Sequence, residues 1–492
     1  MQKNILAGAK AMMIETGIPA RLDRLPWSRF HWLVVTGLGA VWILDGLEVT
    51  IVGSIAGRLT EPSSGLDLSV SQVADAAAIY IAGATLGALF FGYLTDRLGR
   101  KRLFLVTLLI YLSATVLTAF SFSAWWFYFC RFFTGAGIGG EYAAINSAID
   151  ELIPARYRGR VDLMINGSFW LGTAVGSALA LVLLNERLLP GGIGWRIAFG
   201  IGAVLGLGVL LVRRNLPESP RWLYSHGHER EAERVVGGIE RTIEQTTGQS
   251  LPGVEAIQVT RRRQPLGFVA MLRILFAEYP RRALLCFSLF MGQAFLYNAI
   301  FFTYVLVLTT FYDVPAASAP LYLIPFAVGN FLGPLLLGPL FDTVGRRVMI
   351  TTTYVLSGVL LAITGYLFTL GVLNPLTQTI AWDVIFFFAS AGASAAYLTA
   401  SEIFPLQTRA LAIAIFYAIG TAAGGISGPL VFGALIATRQ AANVFYGYLI
   451  GAAFMIAAGL IEARIGLDCE RQSLESIANL GAGETRTRVP ER

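Results

Sequence analysis

Twelve stretches of about twenty mainly apolar residues recur along this 492-residue chain, and no other feature constrains its fold as much. In hydrocarbon a backbone must satisfy its own polar groups, so each run of that length reads as a spanning helix. They lie near 31–56, 76–95, 101–121, 124–149, 159–184, 194–213, 282–311, 318–340, 346–370, 379–401, 410–436 and 441–464. A polar segment rich in Arg and Glu, 214–281, separates two sets of six, and its stretch Glu229–Gln245 has the composition of a soluble helix. Hydrophobic residues make up 55% of the chain and charged ones 14%, against about 45–50% and about 25% in soluble domains. With a mean hydropathy of +0.64, the expected solvent is the bilayer. The expected class is an all-α membrane protein. Residues 1–213 are its N-terminal tail and first six-helix bundle, 214–281 a central segment, 282–464 the second bundle and 465–492 a tail. The first run starts near residue 31 after a mixed polar segment, so it reads as a retained helix rather than a cleaved signal peptide.

Lys and Arg orient the bundle. With the N-terminus inside, the cytoplasmic loops hold Arg97, Arg100, Lys101, Arg102, Arg156, Arg158, Arg160, Arg346, Arg347 and Arg409, while Arg58, Arg187, Arg196 and Arg439 lie at the outer edges. Both termini and the central segment are therefore expected in the cytoplasm. The same bias accounts for the net charge of +6, and no nucleic-acid partner is expected. Cys130, Cys286 and Cys469 are isolated and there are three histidines, so neither a disulfide framework, a metal site nor a cofactor is expected. Gly135-Ala-Gly137-Ile-Gly139-Gly140 superficially suggests a dinucleotide loop, but it lies inside an apolar run without a preceding strand. Close helix packing is the expected use of those glycines.

Two charged motifs are repeated. Gly92-Tyr-Leu-Thr-Asp96-Arg97-Leu-Gly99-Arg100-Lys101-Arg102 returns as Gly338-Pro-Leu-Phe-Asp342-Thr-Val-Gly345-Arg346-Arg347, with Asp96 and Asp342 246 residues apart. Glu151-Leu-Ile-Pro154-Ala-Arg-Tyr-Arg158 and Glu402-Ile-Phe-Pro405-Leu-Gln-Thr-Arg409 form the second pair. Cations alone would serve topology. The matched Gly, Asp, Glu and Arg positions point instead to ion-pair networks at a helix turn, with Asp96 placed to face the positive end of another helix. Made in one conformation and broken in another, such pairs bias a two-state equilibrium. Gly92, Asp96, Arg97, Gly99, Arg100, Glu151, Arg158, Asp342, Arg346, Glu402 and Arg409 are the gating candidates. The first copy has the fuller cation cluster, which places most of such a latch in the N-terminal bundle.

With these motifs the chain resembles the major facilitator superfamily, in particular its sugar-porter branch and related proton symporters of organic solutes. Pro217-Glu218-Ser219-Pro220-Arg221-Trp222-Leu223 is similar to the sugar-porter signature after the sixth span. Arg131 in the Gly-rich fourth span, Arg158-Gly159 and the tail Arg471-Gln-Ser-Leu474-Glu475-Ser-Ile477 fit as well. The resemblance implies two pseudo-symmetric six-helix bundles rocking about a central site.

Ionisable groups at membrane depth are costly and mark function. Asp45 and Glu48 lie in the first span, Arg131 and Glu141 in the fourth. Glu48 and Arg131 fall eight and seven residues from the outer ends of their spans, so at about 1.5 Å per residue both are about 10–12 Å deep and able to pair. Protonating the acid would release the base; a permanent structural pair is the alternative. Gly46-Leu47-Glu48 resembles the sugar-porter Gly-Tyr-Asp whose carboxylate is associated with proton coupling, and the Asp-x-x-Glu spacing resembles paired acids in aromatic-acid and phosphate symporters. Glu141 is a second proton site, a substrate contact or a buried structural carboxylate. The polar residues Asn166, Trp170, Gln293, Tyr297, Asn298, Asn330 and Tyr397 together resemble the sugar site, Gln293 and Asn298 keeping its Gln-x-x-x-x-Asn spacing. Gly292 departs from its paired glutamines, Tyr397 from its Trp, and Gly420 from an Asn common in the eleventh span.

The expected activity is import of a small polar solute, a sugar or an organic acid, with protons across the plasma (inner) membrane. The alternatives are proton-coupled efflux and a non-transporting receptor. No nucleophile–base constellation suggests an enzyme. The expected partners are the solute, protons and lipid, and the expected oligomeric state is a monomer.

Overall fold

The computed structural model describes residues 13–477 apart from 184, 186, 187, 214, 215, 249, 254–257, 262–267, 316–318, 407 and 475. Arg187 and Glu475 of the motifs above, and the outer parts of both tails, lie outside the described residues. Among the described residues twelve long helices dominate: α1 Arg29–Leu59, α2 Val70–Leu98, α3 Arg100–Ala119, α4 Ala124–Leu152, α5 Arg158–Leu183, α6 Gly191–Arg213, α7 Pro280–Tyr312, α8 Ala319–Thr343, α9 Arg346–Thr369, α10 Pro375–Ile403, α11 Arg409–Ala437 and α12 Ala441–Ile465. Helix α11 is continuous but turns π-helical over Thr421–Gly425. Eleven of these helices are apolar enough to cross a membrane by composition alone. The other, α4, is diluted by its glycines, Arg131 and Glu141. Large side chains such as Phe90, Val204, Leu211 and Leu430 lie exposed on the perimeter, as lipid contact requires.

The packing repeats every six helices. Within the first half α2 packs on α4 and α1 on α5; within the second, α8 packs on α10 and α7 on α11. The halves meet where α5 lies on α8 and α2 on α11, with α4 and α10 between them. This is the two-bundle arrangement that the apolar runs and the resemblance led one to expect. The Gly-rich segment of α4 is packing surface: a Cβ at Gly135 or Gly139 would run into the carbonyls of Tyr80 and Ala84 on α2.

Each charged motif is a two-helix turn around one glycine. Gly99 has φ 98° and Gly345 φ 121°, values that L side chains rarely adopt. Each glycine lets the chain leave one helix and enter the next at once, so the Asp of the motif ends one helix and the first Arg opens the following one.

Short elements cover this charged end. Helix Glu229–Thr247 is amphipathic, burying Ala232, Val236, Ile239 and Ile243. It packs against helices Ile18–Asp23 and Pro220–Ser225. Strands Met13–Thr16 and Gln258–Arg261 pair antiparallel, a small addition to an otherwise helical molecule.

Candidate functional site

A cavity of about 220 Å³ lies between the halves, lined from α1, α2, α4, α5, α7, α10 and α11. Of the residues singled out from the sequence, Asn166, Trp170, Gln293, Tyr297, Asn298 and Tyr397 line it. Asn330 is fully buried behind the wall, where its Oδ1 accepts the Tyr297 hydroxyl at 3.1 Å. It orients a lining residue rather than lining the cavity itself. Trp42, Tyr80, Tyr142, Phe169 and Tyr417 also line the cavity, and sequence reasoning missed them because an aromatic residue in an apolar run looks like packing. Trp42 stacks on Tyr142, ring centroids 4.5 Å apart, and Tyr417 meets Tyr142 edge-on at 4.9 Å. With Tyr397, these rings from both halves gather on the side of the cavity nearer the charged end. Trp170 lies 5.6 Å from Tyr297 across the same boundary.

Beside the cavity the structure brings Glu48 and Arg131 together. Arg131 Nη2 donates to Glu48 Oε1 at 2.7 Å, and Thr115 donates to Glu48 Oε2 at 2.9 Å. Both charged side chains are nearly fully buried. The guanidinium also lies 5.2 Å from the Phe199 ring centre and 5.8 Å from those of Tyr80 and Phe127, faces that favour a cation. Asp45, one helical turn from Glu48, is fully buried with no hydrogen-bond partner on either oxygen. Glu141, also fully buried, and Glu48 lie within its electrostatic range. A carboxyl group in such a place must carry a proton or meet a cation.

At the charged end the two motifs build one network. Arg100 Nη2 reaches Asp96 Oδ1 at 3.2 Å and Glu151 Oε1 at 2.8 Å. Arg346 Nη1 reaches Asp342 Oδ1 at 2.8 Å, and its Nε reaches Glu402 Oε2 at 3.1 Å. Each half also grips the other. Asp96 Oδ2 accepts the Leu411 N–H at the start of α11, 3.1 Å away. Asp342 accepts the N–H groups of Gly159 at 3.0 Å and Arg160 at 2.9 Å at the start of α5. Arg409 approaches Glu151 at 3.6 Å, and Arg158 approaches Glu402 at 3.3 Å. Gly92 packs against Ala414 of α11.

The sequence places most of such a latch in the N-terminal copy; in the described contacts Arg346 of the second copy is engaged with its Asp and Glu as fully as Arg100 of the first. Arg97 lies exposed over the Tyr93 ring, 4.5 Å from its centre. Sequence reasoning also passed over a third repeated element. Glu218 accepts the Arg100 N–H at 3.0 Å, and Glu470 accepts the Arg346 N–H at 3.3 Å, so an acid caps α3 and α9 alike. Burial pushes the Glu218 carboxyl above its ordinary range, against the pull of the N–H groups that it accepts and of Arg100. A repeat search extended from the spans into the loops would have found this pair.

The family model described as "Sugar (and other) transporter" matches residues 52–480 of the chain. The niacin transporter NiaP of Acinetobacter baylyi is 27% identical over 471 residues, covering 93% of this chain and 99% of that protein. The putative metabolite transport protein YdjK of Escherichia coli is 28% identical over 469 residues, covering 93% of this chain and 96% of that protein. Among solved structures, the proton:xylose symporter XylE bound to 6-bromo-6-deoxy-D-glucose superposes with a TM-score of 0.75 at 18% identity, covering 92% of this chain and 99% of that one. At that identity the likeness is one of fold.

Proposed function

The chain belongs to the sugar (and other) transporter family of the major facilitator superfamily, and on that premise we propose that it imports a small polar solute together with protons by alternating access. The observation behind this reading is the buried Glu48–Arg131 pair at 2.7 Å, placed so that the next residue, Val49, lines the central cavity. A proton on Glu48 cancels the charge that holds Arg131, and Asp45, one turn away without a partner, is a second place for a proton. Proton uptake and a change of wall geometry are thereby linked through one helix. Relatives named for niacin and for xylose support a small polar organic solute.

In this reading both termini are cytoplasmic and the charged end faces the cytoplasm, closed by the two latches between the halves. The solute enters from the opposite side and is held by the residues around Gln293, Asn298 and Asn166, and rocking of residues 1–213 against 282–464 breaks the Arg158–Glu402 and Arg409–Glu151 contacts to release it. Glu141 is either part of the proton path or a solute contact. Glu48→Gln tests the coupling in proteoliposomes. The expected outcome is loss of accumulation driven by a pH gradient, with exchange of labelled solute retained; full accumulation by the variant would refute the proton role.

A further inference from the structure

We propose that Asp162 on α5 is a further proton-binding site, occupied while the charged end is closed and emptied when that end opens. The proposal rests on the reading of the chain as a proton-coupled carrier, and it adds a site to Glu48 rather than replacing it.

The first observation is a ladder. Arg158, Asp162, Asn166 and Trp170 follow one another at intervals of four, so they share one face of α5. Asn166 and Trp170 line the cavity, and Arg158 belongs to the latch, 3.3 Å from Glu402. Asp162 stands between them. Its Oδ2 accepts Asn166 Nδ2 at 3.1 Å, while its Oδ1 has no hydrogen-bond partner although the residue is fully buried. The acid therefore touches the cavity wall and sits one helical turn from the latch.

The second is the charge around it. Asp150 of α4, Glu402 of α10 and Arg346 of α9 lie within electrostatic range. Arg346 is engaged with Asp342 at 2.8 Å and Glu402 at 3.1 Å. Asp342 of α8 takes the N–H groups of Gly159 and Arg160, and His31, in the first turn of α1, is turned to Ser28 at 3.0 Å. Among the described contacts no cation lies within ion-pair distance of Asp162. A buried carboxylate facing two others would stand uncompensated there, and a proton removes that charge.

The third is a cation ready to replace the proton. Arg158 Nη1 donates to Glu402 and to the Gln472 carbonyl, both at 3.3 Å, while its buried Nε and Nη2 have no hydrogen-bond acceptor. Asp150 lies 3.9 Å from Nε and Asp23 3.8 Å from Nη2. When the halves part, Arg158 loses Glu402, but Glu402 keeps Arg346 through both oxygens. Arg158 and Asp162 are four residues apart, the spacing at which helix side chains pair. The O–H bond of Asp162 then breaks, its proton passes to water entering at the charged end, and the carboxylate pairs with Arg158. An arginine one turn away favours a proton over a metal cation as the occupant.

The test reads the charged end against pH. Spin labels at Arg102 and Val348, exposed positions early in α3 and α9, report the separation of the halves in the full chain in detergent. The closed state binds one proton more than the open one, so each rise of one pH unit multiplies the open-to-closed ratio by up to about ten. From about pH 6 to about pH 9 the share of the long distance is expected to rise at least about ten-fold. Asp162→Asn copies the protonated acid. It is expected to keep the short distance throughout and to delete one protonated-carboxyl band from the infrared difference spectrum between the two pH values. Asp162→Glu keeps a carboxyl and is expected to retain the profile with a shifted midpoint. Asp45, Glu48 and Glu141 are present in all three proteins, so the difference belongs to residue 162. No pH dependence in the parent overturns the proposal, as does the parent profile in a folded Asp162→Asn protein. An unshifted midpoint in Asp162→Glu overturns it where the amide does not fold. A distance that follows sodium concentration at constant pH, rather than pH, overturns it too. Glu48→Gln is expected to keep the profile whether or not it accumulates solute, so failure of coupling through Glu48 is a separate result.

Discussion

Replacing Asp342 by Asn removes one charge from the point where the second half grips the first. Asp342 uses both oxygens: Oδ1 takes Arg346 at 2.8 Å and the Gly159 N–H at 3.0 Å, and Oδ2 takes the Arg160 N–H at 2.9 Å. Asparagine has the same shape but one acceptor oxygen, so at least one N–H at the start of α5 loses its partner to an amide NH₂. A hydrogen bond to a charged group contributes about 1.5–3 kcal/mol, and a charge at a partly buried helix N-terminus up to about 2 kcal/mol. The two overlap, since both describe one carboxylate facing one helix end. A net loss of about 2 kcal/mol is therefore expected, and it falls on the state in which α5 and α8 touch. Each 1.4 kcal/mol is ten-fold, so the odds of the closed state fall by about 30-fold. A closed population of roughly 99:1 would become roughly 3:1. Spin labels at Arg102 and Val348, exposed positions early in α3 and α9, read the separation of the halves at the charged end. Pulsed dipolar spectroscopy should show one distance in the parent protein and a second, longer one in Asp342→Asn. An unchanged distance distribution in a folded variant would refute the assignment of Asp342 as a latch between halves.

Three further outcomes follow from the packing. Gly46→Ala should prevent stable folding, because its Cβ would fall on the Phe169 carbonyl where α1 crosses α5. Gly200→Ala, with nothing within 4 Å, should leave melting in detergent unchanged or slightly raised. The helix Ile18–Asp23 should loosen in acid. Burial alone would raise the Glu240 carboxyl, but hydrogen bonds from Arg21 at 2.6 Å and Arg24 at 2.5 Å outweigh it and hold the group below its ordinary range. For a depressed carboxylate the stabilisation is complete above the unfolded value of about 4.3 and is lost as pH falls through the lower folded value. The groups are partly exposed, so the effect is about 0.2–1 kcal/mol. A spin label at Ala20 should be immobile from about pH 7 to 5 and more mobile toward pH 3, whereas Glu240→Gln should make it mobile throughout. Equal mobility across that range would sink this account.

The parts that were legible in the sequence are those where one residue must satisfy a local rule. Asp96 and Arg100, like Asp342 and Arg346, sit four apart around a glycine at positive φ, so the turn and its ion pair are written in adjacent letters. Glu48 and Arg131 were found by counting depth, because a charge in hydrocarbon has to meet its opposite at the same level. What stayed hidden depends on which way a helix faces. Trp42, Tyr142 and Tyr417 lie in runs where any large apolar residue would satisfy the bilayer, and only the crossing of α1, α4 and α11 turns their rings toward one cavity. Asn330 shows the converse, a polar residue that the same rotation sets behind the wall, where it serves Tyr297. The grip of Arg21 and Arg24 on Glu240 spans more than two hundred residues and follows no period, so nothing short of the packed helices reveals it. Solute choice in this transporter is therefore written mainly in helix rotation. The ion pairs at the helix turns are written in local motifs, so residue spacing gives them from sequence but leaves the occupant of the cavity to be read from the rings that line it.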